Sequence, residues 1–173
     1  RESARVLAAE QAALLRVAAL VAEGADGAEV FEAVAVEAAG LIDDEATTLV
    51  RYEGDRTFLV LAHRNGPAPV GTRYRVPEDD AGTSAMMLST LRAARLDRYD
   101  HIADRSYANR DFGCGSSVTV PIFVDGRLWG ALGTLNEGRC LPAATEGRLG
   151  KFAELVASAL ANVAARAELE RFG

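Results

Sequence analysis

Two histidines and two cysteines are the side chains of this 173-residue sequence best suited to ligation or nucleophilic attack. His63 closes an apolar stretch just before Arg64-Asn65-Gly66, and His101 lies between Tyr99 and Tyr107. Histidine is the usual axial ligand of haem iron, so haem chemistry would fall on one of these two, and a surface histidine is the plainer alternative. Cys114 stands between two glycines and Cys140 precedes Leu141. Two cysteines without zinc-site spacing make neither a metal centre nor a disulfide framework, and a reducing cytoplasm is the expected location. Gly82-Thr83-Ser84-Ala85-Met86 lacks the second glycine of a nucleophile elbow. Gly113-Cys114-Gly115-Ser116-Ser117 opens a strand and lacks the lysine of a phosphate loop. No residue is assigned a catalytic or metal-binding role, and the chain itself is read as non-enzymatic.

The elements that must hold these residues follow from composition and period. The 173 residues are 49% hydrophobic and 25% charged, enough apolar material for one domain with a sizeable core. The net charge of −6 argues against direct nucleic-acid binding. No apolar run reaches the roughly 18–20 residues of a membrane-spanning helix. The chain begins at Arg1, not at a methionine, and is read as a piece of a longer protein.

Residues 2–23 are an Ala-rich helix with Leu7, Leu14 and Val21 seven apart. This segment, residues 1–23, is taken as a linker or dimerisation helix and residues 24–173 as the domain proper. Residues 28–41 follow as an amphipathic helix. Strands are predicted over 46–52, 57–62, 72–76 and 94–96, with Gly54-Asp55 turning the first pair, and a short helix over 84–91. Asp125-Gly126 joins two further strands, 117–124 and 127–135, in a tight hairpin. In the second of these Trp129, Ala131, Gly133 and Leu135 are expected to share one face. From Pro142 a helix runs to about Arg171, and its seam of Phe152, Val156, Ala159 and Val163 joins Leu7, Leu14 and Val21 as the expected contacts of a homodimer, parallel or antiparallel. The order of elements implies an α+β fold: a central antiparallel sheet of five or six strands with the N- and C-terminal helices on one face.

The run from Ser117 through Pro121, Asp125-Gly126 and Trp129 to Leu132, followed by Leu141-Pro142-Ala143-Ala144-Thr145-Glu146, resembles the hallmark hairpin and helix entry of a GAF domain. Leu49–Glu53 and Leu88–Asp97 occupy the family's expected places upstream, and the likeness extends over about residues 14–166. Its wording is similar to GAF domains of actinobacterial signalling proteins, often sensor histidine kinases. The resemblance implies a pocket between one face of the sheet and a cover spanning roughly Val76 to Gly115. Its candidate lining is Tyr74, Met86, Met87, Tyr99, His101, Tyr107, Phe112, Cys114 and Ser116, with Asp97 and Arg110 as polar anchors; the alternative is that Met86, Met87 and Phe112 fill the space themselves.

The same comparison weighs the family's ligands. Haem-binding relatives place a histidine just before the hairpin, where this chain reads Asn109 to Cys114, and bilin-binding relatives pair a cysteine with an adjacent histidine, which neither cysteine has here. Haem and bilin are therefore not expected, the cyclic-nucleotide signature is missing, and the cofactor is left unassigned. The expected role is a cytoplasmic sensory module of a bacterial two-component protein, binding a small ligand or dimerising to control an output domain outside this stretch. The alternatives are an effector domain of a transcription regulator and a cysteine-dependent free methionine sulfoxide reductase.

Overall fold

The computed structural model describes residues 2–42, 46–97, 116–136 and 140–172. The described helices are α1 (Glu2–Ala22), α2 (Gly27–Gly40), α3 (Thr83–Thr90) and α4 (Thr145–Phe172). The described strands are β1 (Ala46–Gly54), β2 (Thr57–Arg64), β3 (Arg73–Arg75), β4 (Ala94–Asp97), β5 (Ser116–Val124) and β6 (Arg127–Asn136). They form one antiparallel sheet in the order β3-β2-β1-β6-β5-β4. This is the expected α+β architecture, with six strands.

Helices α1, α2 and α4 cover one face, and α3 lies on the other. The helix-covered face buries Leu49, Val118, Val120, Ile122 and Leu132 from the sheet against Val17, Val30, Val34, Leu149, Phe152 and Val156. Asp26 caps α2, its Oδ1 accepting from the Glu29 N–H at 2.9 Å. Phe152 and Val156 are fully buried and Ala159 is 7% exposed, so the α4 seam expected to meet a second chain faces this chain's own core. The physical reason is that a seam three and four residues apart serves any neighbouring apolar layer, and here the sheet provides one. Leu14 and Val21 pack on the same core, while Leu7 is 53% exposed; the side chain of Val163 lies outside the described residues.

Both hairpins form, with one shift. Asp125 and Gly126 take positive φ of 52° and 75°, as the tight turn requires. In the first hairpin the turn residues are Asp55 and Arg56, with φ of 47° and 58°, one position beyond Gly54-Asp55. Arg56 is held in that conformation by its own side chain: Nε donates to the Val76 carbonyl at 2.8 Å and Nη2 to that of Pro77 at 2.9 Å.

A bulge also revises the facing of β6. Ile122 pairs Gly130 but Phe123 pairs Leu128, so Trp129 is the extra residue and the alternation slips by one. Trp129 consequently packs on Phe31 of α2, ring centroids 5.7 Å apart, on the face opposite Ala131.

Candidate functional site

The face of the sheet under α3 is the candidate site. It carries an apolar half built from Val50, Phe58, Val60, Val76, Met87 and Ala131. Phe58 lies between Tyr52 and Tyr74, with centroid separations of 5.1 and 5.8 Å, and burial pushes the Tyr74 phenol above its ordinary pKa of 10.0. Tyr74 and Met87 pack into this half, whereas Met86, expected either to line the pocket or to help fill it, turns outward and is 37% exposed.

The other half is polar. Strand β5 alternates, placing Val118 and Val120 in the helix-side core and Ser117 and Thr119 on the opposite face. There the Thr83 hydroxyl, at the first residue of α3, lies 2.8 Å from Ser117 Oγ and 2.8 Å from Thr119 Oγ1. All three side chains are buried. Sequence reasoning passed over this trio, although the polar–apolar alternation Ser117-Val118-Thr119-Val120 carried the signal. Thr48 pairs with both His63 and Gly133, and Gly133 with Thr119, so these four residues cross the face in one row. His63, weighed from sequence as a surface residue, lies at the end of that row; its Nδ1 accepts from the Gly66 N–H at 3.1 Å.

Asp97, expected as a polar anchor, and Ser116, expected in the pocket lining, come together. The Ser116 hydroxyl donates to Asp97 Oδ1 at 2.5 Å and accepts from the Leu141 N–H at 3.2 Å, on the side where α4 begins. Beside them Arg95 donates from Nε and Nη2 to the two Glu146 oxygens at 3.0 and 2.7 Å, and from Nη1 and Nη2 to the carbonyls of Leu141 and Pro142. Hydrogen bonds from Arg95, reinforced by its charge, hold the Glu146 carboxyl below its ordinary value. Edge strand β4 is thereby tied to the first turn of the terminal helix. Tyr99, His101, Tyr107, Arg110, Phe112 and Cys114 lie outside the described residues. Cys140 is exposed and unbridged, and no group of three or more potential metal ligands is found among the described residues. No described helix is long and apolar enough to cross a membrane.

The sequence model of the GAF domain family matches residues 26–167. The chain is a member of the GAF domain family. The solved structures it resembles include the phycocyanobilin-bound GAF domain of a cyanobacterial phytochrome, with a TM-score of 0.71, 19% identity, and 88% of this chain and 94% of that one covered. A GAF domain from an Acinetobacter phosphoenolpyruvate-protein phosphotransferase gives a TM-score of 0.72 at 14% identity, covering 90% and 94%. The free methionine-R-sulfoxide reductase of Neisseria meningitidis, in complex with its substrate, gives 0.68 at 17% identity, covering 87% of each chain. At these identities the likeness establishes the GAF fold alone. None of the curated proteins searched matches the sequence. GAF domains are in general sensory or regulatory modules, and that is the function class to which this one is assigned.

Proposed function

We propose that this GAF domain is the non-catalytic sensory module of a bacterial signalling protein, a sensor histidine kinase by its sequence resemblance. In this reading a small ligand binds the sheet face under α3, and a homodimer formed through the terminal helices passes the signal to an output domain. One observation carries it: a single helix, α4, is clamped to the sheet edge at its first turn by Arg95 and Glu146 and runs on well beyond the core. At 1.5 Å per residue its 28 residues extend about 42 Å. The last buried side chain among the described ones is Ala159, so about 18 Å of helix projects past the domain. A change at the sheet edge is thus delivered to a lever whose far end lies outside the fold. Such a lever responds only to a ligand that binds its two positions with different affinity.

The test is a melting-temperature screen of the chain against a metabolite panel, followed by light scattering. A compound that raises the melting temperature in proportion to its occupancy, bound to a dimeric chain, is the expected result. A monomer that no compound stabilises overturns the reading. Autophosphorylation of the full-length parent, with and without that compound, then decides whether the output is a kinase.

A further inference from the structure

The entry to α4 is held by more than the Arg95–Glu146 pair. Asp97 and Ser116, at the ends of β4 and β5, bracket residues 98–115 and pair with each other across the sheet. Asn136, the last residue of β6, pairs with Ser116 from the other side, and Leu141 stands at the far end of residues 137–140. The ends of β4 and β6 and the approach to α4 therefore converge on Ser116, which is fully buried.

The hydrogen bonds at this point close a ring. The Ser116 hydroxyl donates to Asp97 Oδ1 at 2.5 Å and accepts from the Leu141 N–H at 3.2 Å. Arg95 Nη1 donates to that same Asp97 oxygen at 3.4 Å and to the Leu141 carbonyl at 2.9 Å. Leu141 is thus held by both its N–H and its C=O, and both grips lead back to Asp97 Oδ1. At 3.4 Å the link from Arg95 to the carboxylate is the weakest of the four, so Asp97 reaches Leu141 mainly through Ser116. That hydroxyl has a single hydrogen; giving it to Asp97 fixes which way its lone pairs face, and so holds one towards Leu141. Outside the ring, Arg95 Nε and Nη2 carry the Glu146 carboxylate, and Nη2 also the Pro142 carbonyl. All five guanidinium N–H groups then have an acceptor, and because the group is planar and rigid its contacts shift together.

We infer that Asp97 and Ser116 are the joint of the α4 lever, positioning residues that set the α4 entry from the ends of β4 and β5; this rests on the lever reading above and names the part that couples it to the sheet. Without the carboxylate the Ser116 hydroxyl is free to turn and Arg95 is one acceptor short. The Leu141 peptide, and with it the first turn of α4, then loosens from the sheet edge while the core stays packed.

The test is amide hydrogen exchange of the whole chain without ligand, read at Leu149, Gly150 and Lys151, whose N–H groups bond back to carbonyls in the first turn of α4. Asp97→Ala is expected to speed their exchange about tenfold, the worth of one hydrogen bond to a charged group. Val34 of α2, Leu132 of β6 and Val156 farther along α4 should not change. Asp97→Asn keeps an acceptor oxygen in place and is expected to restore most of the protection. Ser116→Ala should act as Asp97→Ala does, and the double variant should exchange no more than about twofold faster than either, because a ring broken once is already open. If the two effects multiply in the double variant, the residues act separately and there is no joint. Unchanged exchange in either single variant also overturns the inference. So does acceleration spread evenly over α2, β6 and α4, which would make the ring a support of the whole fold. None of these outcomes bears on ligand binding or dimerisation, which the metabolite screen and light scattering decide separately.

Discussion

Two glycines three positions apart in β6 differ in what a methyl group would meet. A Cβ on Gly130 would lie 2.2 Å from the Val50 carbonyl oxygen, a backbone atom of the neighbouring strand that cannot step aside. Gly133 has no contact closer than 3.5 Å. Gly130→Ala is therefore expected to lower the unfolding free energy in urea by about 1–3 kcal/mol or more, as overpacking does, and Gly133→Ala to leave it nearly unchanged. Equal losses would mean that β1 and β6 are not in the observed register. The facing of β6 was only partly legible in the sequence, because a bulge leaves no mark in a pattern read two residues at a time: Trp129 was assigned to the face of Ala131 and lies on the other. His63 and the hydroxyl trio stayed illegible for a related reason, since a row across a sheet joins residues 14 to 85 positions apart in the chain.

At the scale of elements, alternation and turn chemistry were legible, and all six strands lie where they were expected. Side-chain clamps were not, because Arg95 and Glu146 are 51 residues apart and only the register of β4 beside the α4 entry brings them together. The clamp makes a prediction with a definite sign. Glu146 is held below its ordinary value near 4.5 in the folded chain, so its contribution is fully present above that value. It is lost as pH falls through the lower folded value. Arg95→Gln should remove this part of the acid sensitivity, so that the stability gap between wild type and variant narrows from pH 6 towards pH 3. A gap independent of pH would show that Arg95 acts through the Leu141 and Pro142 carbonyls alone. The same scale explains the α4 seam: Phe152→Ala is expected to cost about 3–5 kcal/mol in urea unfolding, the cost of emptying a fully buried aromatic site.

For the whole molecule, the question is what the projecting end of α4 meets. Every described side chain from Ala161 to Arg171 is exposed, Leu169 among them at 72%. A single helix of about twelve residues is marginal in water unless another surface covers it. On α1 the outward Leu7 and Leu15 are 53% and 68% exposed, which gives the other terminal helix an apolar side of its own. The proposed dimer should therefore depend on these outward leucines rather than on the inward Phe152 and Val156. Leu7→Glu combined with Leu169→Glu is expected to halve the mass seen by light scattering while the melting temperature of the domain core moves by no more than about 2–4 °C, because exposed positions add little to the core. Val156→Asp is expected to do something different in kind, exposing the core and broadening the unfolding transition whatever the oligomeric state, since it buries a charge in the apolar cluster that the described residues Val17, Leu149 and Phe152 form. A dimer that survives the double leucine substitution would move the interface away from the terminal helices, and the lever would then have to act within one chain.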